Sequence, residues 1–214
     1  MTLDEIALAC KTDKSSDSHG YTRWYPRYFD PIRDKPLTLL ELGWGGDEDP
    51  EAGGNSAAMW RDYFPNATVV VIDKHAKTSR PGVNFHQGCQ GDSVFLAELH
   101  DRYGDFDIVV DDASHVSDLT VRSFEILYPW LKSGGFYAVE DTHSSYHDFF
   151  YAQANRNPDL PCPDGSPTAM QFLKRLADEV NYHADWVLFP AEFHKGFRLE
   201  FLHFYFNLAV MRKA

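Results

Sequence analysis

Short apolar runs rich in β-branched residues alternate with amphipathic helical stretches along most of the chain. The runs are LTLLEL (37–42), TVVVID (68–73), VNFHQG (83–88), DIVVDD (107–112) and GFYAVED (135–141). Helical patterns lie at Asn55–Tyr63, Ser93–Arg102, Leu119–Leu131 and about 166–182. Strand and helix in alternation favour right-handed βαβ crossovers, and continuous apolar strands are typical of a parallel sheet that is covered on both faces. We therefore predict an α/β fold with a mostly parallel sheet.

The end of the chain departs from this rhythm. The segment RLEFLHFYFNLAVMRK (198–213) has room for two adjacent strands with a reversal near Tyr205–Asn207, which predicts an antiparallel edge and seven strands in all.

We interpret Gly134-Gly135 as a helix stop, because glycine readily takes the left-handed conformation. The stretch 142–165 is too long for a simple connector, so we predict a lid or substrate loop. Without a linker or repeat, residues 1–214 are expected to form a single domain.

Composition excludes several classes of protein. The 3 cysteines, Cys10, Cys89 and Cys162, give neither a disulfide framework nor a CxxC zinc pattern. With no signal-peptide core and no membrane span, the chain is expected to be cytoplasmic. The 20 Lys+Arg against 32 Asp+Glu give a formal charge of -12, which disfavours nucleic acid as a partner. Aromatic residues near the N-terminus and in 142–165, if exposed, would allow a homo-oligomer, or they could line a pocket.

Glycines and an acidic residue follow the first two predicted strands. The first strand runs into Glu41-Leu-Gly43-Trp-Gly45-Gly46, and the second ends in Asp73. Glycines let the backbone approach a ligand, and an acidic residue at this place can accept both hydroxyls of a ribose, which favours an adenosine-type cofactor. The alternative is that the glycines only end the strand and Asp73 only caps a turn. Because Asp47 and Glu48 stand where a dinucleotide pyrophosphate would lie, S-adenosylmethionine suits the loop better than NAD.

Carboxylates also end the fourth and fifth predicted strands. The fourth ends in Asp111-Asp112-Ala-Ser-His115 and the fifth in Glu140-Asp141. The carboxyl ends of adjacent parallel strands meet at one sheet edge, where like charges repel unless a cation lies among them. Oxygen ligands favour Mg²⁺, with Mn²⁺ as an alternative, and His115 could take a proton from a hydroxyl held there. The alternative is solvated strand ends and a loop histidine. His143 and His147, just beyond, are substrate or lid contacts or plain loop residues.

Several segments together resemble a known family. They are KTDKSSDSHGYTRWYPRYF, LLELGWGGDEDPEAGGNSAAMWRDYFPNATVVVIDK, GCQGDSVFL, FDIVVDDASH, LYPWLKSGGFYAVEDTHSSY and LHFYFNLAVMRK. In this combination the chain resembles, over nearly its whole length, the metal-dependent class I methyltransferases that methylate deoxysugar hydroxyls of macrolides and related natural products. The resemblance implies a Rossmann-like seven-stranded sheet with helices on both faces. It also implies transfer of a methyl group from S-adenosylmethionine to a sugar of a glycosylated natural product.

The resemblance further implies a role for each site residue. His115 would be the general base, and the Mg²⁺ ligands would be Asp112, Glu140 and Asp141. Residues 1–36 would cap the site, and Gln90 would lie on the adenine side. The cofactor-binding residues would be Glu41, Gly43, Gly45, Gly46, Ser56, Asp73, Cys89, Gln90 and Asp111. Two features depart from the family pattern: Cys89 stands where relatives tend to have Asp, and we expect no separate N-terminal domain of the kind that some relatives use to build the sugar pocket.

The sequence is also compatible with two other functions. A methyltransferase acting on a phenol or catechol would use the same ion, because two neighbouring oxygens could chelate it. A protein of the same fold could instead bind S-adenosylmethionine without transferring its methyl group. A nicotinamide-dependent dehydrogenase is the least favoured, given the acidic residues after Gly46.

Overall fold

The computed structural model describes residues 1–146, 167–181 and 196–214, and within them the α/β class is confirmed. The strands are β1 Leu37–Leu42, β2 Ala67–Asp73, β3 Asn84–Gln87, β4 Phe106–Asp111, β5 Leu131–Glu140, β6 Leu199–Tyr205 and β7 Leu208–Lys213. The helices are α1 Leu3–Cys10, α2 Pro26–Phe29, α3 Asn55–Tyr63, α4 Ser93–Tyr103, α5 Ser117–Leu127 and α6 Ala169–Asn181, with 3₁₀ turns at Tyr21–Arg23, Asp30–Ile32, Tyr128–Trp130 and Thr142–Tyr146. Residues 1–89 contain the strand order β3-β2-β1, and residues 90–214 contain the order β4-β5-β7-β6.

The chain divides into two compact units, Met1–Cys89 and Gln90–Ala214. The single domain expected from the sequence stays a prediction. Most of the predicted lid or substrate loop, with His147, lies outside the described residues. None of the helices within the described residues has the length and apolar character that a membrane crossing requires.

The first unit is a parallel three-stranded arrangement with an aromatic cluster beside it. β1 pairs with β2, and β2 with β3, all in parallel. Helix α3 lies between α1 and β2 in contact with both, and its Trp60 packs edge-on against Tyr25 and Phe29. Three aromatic residues near the N-terminus, Tyr21, Tyr25 and Phe29, are fully buried. They are therefore not exposed in the way that a role in an oligomer contact would require. The hydrophobic effect places them in the core of this unit instead.

The second unit carries the mixed part of the sheet. β4 and β5 are parallel, whereas β7 pairs antiparallel with both β5 and β6. The chain reverses between β6 and β7 at Phe206 and Asn207, where Asn207 has a φ of 58°. The predicted antiparallel C-terminal edge and its reversal are therefore confirmed.

The helix stop assigned to Gly134-Gly135 is wrong. Helix α5 ends at Leu127, because Pro129 lacks an N–H and forces the chain into a 3₁₀ turn. Both glycines lie inside β5, which begins at Leu131, and the register of β4 against β5 shifts between Phe106 and Ile108. A Cβ at Gly135 would lie 2.9 Å from the carbonyl oxygen of Asp107. The glycines accommodate a strand irregularity here and do not end a helix.

Candidate functional site

The loop after β1 folds tightly back on itself through two pairs of glycines. Gly45 and Gly46 have positive φ values, as do Gly53 and Gly54 at the start of α3. A Cβ on Gly53 would lie 2.3 Å from the Gly45 carbonyl oxygen, and one on Gly54 would lie 2.3 Å from the Trp44 ring. The second pair is thus as necessary for this conformation as the first. Only the glycines from Gly43 to Gly46 were predicted from the sequence to contribute to the site.

Two cationic side chains hold this loop by its backbone. Lys77 is buried, and its Nζ donates hydrogen bonds to the carbonyl oxygens of Asp47 and Asp49 at 2.5 and 2.9 Å. Arg80 donates from Nη2 to the Gly53 carbonyl oxygen at 2.6 Å. Hydrogen bonds from charged donors are about twice as strong as neutral ones, so these contacts stabilise the folded loop. Neither residue was predicted from the sequence, although Lys74, Lys77 and Arg80 form a basic group after β2 in an acidic chain.

Asp73, the last residue of β2, has its carboxylate oriented by two backbone amides. The Trp44 N–H donates to Oδ2 at 3.0 Å, and the His75 N–H donates to Oδ1 at 2.8 Å. Asp73 is half-buried, and each oxygen has a second lone pair that can accept from a hydroxyl. The side chain therefore fits the ribose contact that the sequence predicts, and the contact itself stays a prediction.

Glu41 and Ser56 contact each other in a buried polar cluster. Ser56 Oγ donates to Glu41 Oε2 at 3.0 Å, and Trp60 Nε1 donates to Oε1 at 3.1 Å. Lys14 Nζ lies 3.6 Å from Oε1, and the side chains of Lys14 and Glu41 are both fully buried. Glu41 thus connects the N-terminal segment, β1 and α3. The predicted cofactor roles of Glu41 and Ser56 are not tested by these contacts, while Cys89, another predicted contact, is exposed.

Three of the predicted metal and catalytic residues converge in the second unit. Asp112 follows β4, Asp141 follows β5, and one ligand atom from each of these and from His115 lies within 4.8 Å of the others. His115 Nε2 is 3.6 Å from Asp141 Oδ2, and on the other side His143 Nδ1 is 3.9 Å from Asp141 Oδ1. Glu140, buried as the last residue of β5, is not part of this three-residue group.

The backbone at this group is held in an uncommon conformation. His115 has a φ of 55° and Asp141 a φ of 49°, in the left-handed region that non-glycine residues seldom adopt. Such residues concentrate at functional sites, where the surrounding structure maintains the strain. Two members of the group, His115 and Asp141, therefore share this uncommon backbone conformation.

The donor set fits a hard divalent cation. Ligands on opposite sides of a Mg²⁺ ion, each 2.0–2.1 Å away, lie about 4 Å apart, which is comparable with the spread of the three ligand atoms. Two carboxylates at this separation repel each other, and a cation between them would relieve the repulsion. The imidazole of His115 belongs to the same cluster, so it can serve either as a ligand or as a base.

Gln90 and Asp111 form a buried hydrogen bond next to Asp112 in the sequence. Gln90 Nε2 donates to Asp111 Oδ1 at 3.2 Å, and Ser123 Oγ donates to Asp111 Oδ2 at 2.8 Å. Burial raises the pKa of the Asp111 carboxyl to about 7, although the hydrogen bond from Ser123 acts in the opposite direction. Gln90 and Asp111 are both buried, and their predicted cofactor contacts stay predictions.

Comparison with known proteins shows similarity to sugar O-methyltransferases. No protein-family model matches the chain. It is 37% identical to the 8-demethyl-8-alpha-L-rhamnosyl tetracenomycin-C 2'-O-methyltransferase of Streptomyces olivaceus, with 99% of this chain and 54% of that protein aligned. Identity to the Mycinamicin VI 2''-O-methyltransferase of Micromonospora griseorubida is 32%, over 99% of this chain and 52% of that protein. The chain therefore spans about half the length of the curated relatives it matches.

A solved methyltransferase structure has the same fold as this chain. The MycE methyltransferase from the mycinamycin biosynthetic pathway, in complex with Mg and SAH, superposes with a TM-score of 0.87 at 32% identity. The match covers 100% of this chain and 54% of that one. A further MycE structure, which also contains mycinamycin VI, gives a TM-score of 0.86. These similarities confirm the fold and the resemblance to sugar O-methyltransferases that the sequence motifs indicated.

Proposed function

We propose that this chain transfers the methyl group of S-adenosylmethionine to a hydroxyl of a sugar on a glycosylated natural product, with the assistance of Mg²⁺. The convergence of Asp112, His115 and Asp141 is the observation that carries the proposal. It is supported by the MycE complex with Mg, SAH and mycinamycin VI, which is similar to the whole of this chain.

The first unit would bind the methyl donor. Asp73 is oriented by the Trp44 and His75 amides, so its carboxylate would accept the ribose hydroxyls without further rearrangement. The glycine loop, held by Lys77 and Arg80, would present backbone rather than side chains to the ligand. S-adenosylmethionine, when bound, supplies a methyl group on a positively charged sulfur, and it brings no phosphate near the acidic residues of this loop.

The second unit would hold the cation and the base. Asp112 and Asp141 would bind Mg²⁺, and Glu140 is the third ligand that the resemblance implies. When bound, Mg²⁺ supplies Lewis acidity, which orients neighbouring hydroxyls and makes one of them easier to deprotonate. His115 Nε2 would then accept the proton of that hydroxyl, and Asp141, 3.6 Å from Nε2, would stabilise the resulting imidazolium.

The proposed reaction requires only the acceptor hydroxyl, the imidazole of His115 and S-adenosylmethionine as reacting groups. The O–H bond breaks toward His115, a new O–CH₃ bond forms, and the C–S bond breaks with its electron pair remaining on sulfur. The products are the methyl ether, S-adenosylhomocysteine and one proton. General base assistance contributes roughly 10² to 10⁴ in rate, and the rest comes from holding the reactants in line.

A methyl-transfer assay with a defined panel of acceptors tests the proposal. Purified protein with S-adenosylmethionine and Mg²⁺ is incubated with rhamnosylated and olivosylated polyketides, with catechol, or with no acceptor. Mass spectrometry then detects the gain of one methyl group. Methylation of a glycoside that chelation abolishes is the expected result. Methylation of catechol alone would favour the phenol-type enzyme, and cofactor binding without transfer to any acceptor would favour a protein that only binds S-adenosylmethionine.

We further propose that the protein acts in the cytoplasm on small molecules and not on nucleic acid. The formal charge of -12 supports the exclusion of nucleic acid, because a strongly acidic protein repels phosphate backbones. A homo-oligomer would require surfaces other than the buried N-terminal aromatics.

A further inference from the structure

Gln90 is buried, with 5% of its surface exposed, and both ends of its side-chain amide form hydrogen bonds within the second unit. Its Nε2 donates to Asp111 Oδ1 at 3.2 Å. Its Oε1 accepts from the backbone N–H of Ser114 at 3.0 Å. The amide of this side chain is therefore engaged by the protein at its donor and at its acceptor.

Asp111 fixes the donor end of Gln90. Ser123, on α5, donates from Oγ to Asp111 Oδ2 at 2.8 Å, so the carboxylate is held by two different elements. If Gln90 rotated away, a buried carboxylate oxygen and a buried amide would lose hydrogen bonds, and a buried polar group without a hydrogen bond is unfavourable. The hydrogen bond to Asp111, at the end of β4, thus orients the donor end of Gln90.

The acceptor end of Gln90 holds the loop that carries the cluster. Ser114 lies between Asp112 and His115, and its own Oγ accepts from the Val116 N–H at 3.3 Å. His115 has the uncommon φ of 55°, so the loop needs external contacts to keep its conformation. The hydrogen bond from the Ser114 N–H to Gln90 Oε1 is such a contact.

We infer that Gln90 is a positioning residue, which holds Asp112 and His115 in the geometry of the metal cluster through Ser114, and that its side-chain amide does not contact the adenine. The inference rests on the proposed function, because it takes Asp112, His115 and Asp141 as the cation site. Residues that orient metal ligands without touching the metal typically affect metal affinity by about 10- to 100-fold when they are substituted.

Gln90→Met tests the inference, since methionine has nearly the same length and shape but lacks the amide that accepts from Ser114 and donates to Asp111. Mn²⁺ binding to the full chain is measured by electron paramagnetic resonance, and S-adenosylhomocysteine binding is measured separately by calorimetry in the presence of chelator. We expect Mn²⁺ to bind about tenfold more weakly to the variant. Binding of S-adenosylhomocysteine in chelator should match that of the unsubstituted protein.

Ser123→Ala is the matched control. It removes the hydrogen bond from Ser123 Oγ to Asp111 and the 3.4 Å contact of that Oγ with Gln90 Nε2, but it leaves the hydrogen bond from the Ser114 N–H to Gln90 Oε1 in place. Its Mn²⁺ affinity should therefore stay close to that of the unsubstituted protein. Thermal melts of both variants, followed by circular dichroism, test whether each is folded at the assay temperature.

Each other result would overturn the inference in a recognisable way. Unchanged Mn²⁺ affinity in Gln90→Met, or an equal loss in Ser123→Ala, would remove the specific role of the Ser114 contact. Loss of S-adenosylhomocysteine binding with intact Mn²⁺ binding would return Gln90 to the adenine side. If the unsubstituted protein binds no Mn²⁺ or Mg²⁺, the metal site of the proposed function fails, and the positioning role fails with it.

Discussion

Lys14→Met should destabilise the protein strongly, because it would remove a buried cation that lies beside the buried carboxylate of Glu41. The two side chains are fully buried, with Lys14 Nζ 3.6 Å from Glu41 Oε1. Removing one partner of a buried ion pair costs about 3–5 kcal/mol. Ser56 and Trp60 continue to donate to Glu41, so we expect the lower end of that range. For a chain of this size, about 3 kcal/mol lowers Tm by roughly 6–12 °C.

The assay is urea unfolding followed by circular dichroism, with Lys132→Met as the control. Lys132 Nζ lies only 2.8 Å from Asp107 Oδ2, but these side chains are 45% and 25% exposed. Exposed pairs contribute about 0–1 kcal/mol, so the control should be nearly neutral although its pair is closer. The double variant Lys14→Met/Glu41→Gln should recover part of the loss. If Lys14→Met unfolds like the unsubstituted protein, or if Lys132→Met costs as much, burial does not govern these pairs and the reasoning is refuted.

Three further substitutions test the proposed site. Gly54→Ala should weaken S-adenosylmethionine binding in calorimetry, because its Cβ would lie 2.3 Å from the Trp44 ring; an unaltered affinity would mean that the loop does not form the cofactor site. Asp73→Asn should weaken the same binding by about 10- to 100-fold, as expected when charge-assisted hydrogen bonds are lost, and full affinity would remove Asp73 from the ribose contact. His115→Ala should lower kcat by about 10² to 10⁴ while Mn²⁺ binding persists. Loss of Mn²⁺ binding in that variant would make His115 a ligand and not the base.

The first four strands could be predicted from the sequence to within one residue, since buried parallel strands are continuous apolar runs, whereas β5 begins at Leu131, before its predicted start at Gly135. β1 is found at Leu37–Leu42 and α3 at Asn55–Tyr63, as expected. The end of α5 was misplaced because Gly134-Gly135 has the local character of a helix stop, whereas Pro129 had already ended the helix. A glycine pair predicts left-handed or irregular backbone, but it does not say whether the irregularity lies in a helix end or in a strand.

The meeting of Asp112, His115 and Asp141 followed from topology, because neighbouring parallel strands end at the same sheet edge. The supporting contacts could not be predicted in this way. Lys77 binds backbone carbonyls across a loop, and the Lys14–Glu41 pair joins residues that are distant in the chain. Such contacts depend on tertiary structure and have no periodicity or spacing that a single sequence displays.

The most direct test of the account is calorimetric titration of S-adenosylmethionine and of Mg²⁺ into chelator-treated protein, repeated with Asp112→Asn/Asp141→Asn. The account predicts that the unsubstituted protein binds both, and that the double variant keeps the cofactor but loses the separate Mg²⁺ binding event. Cofactor binding without any Mg²⁺ event in the unsubstituted protein would reduce Asp112 and Asp141 to solvated strand ends, and absence of cofactor binding would contradict the methyltransferase assignment itself.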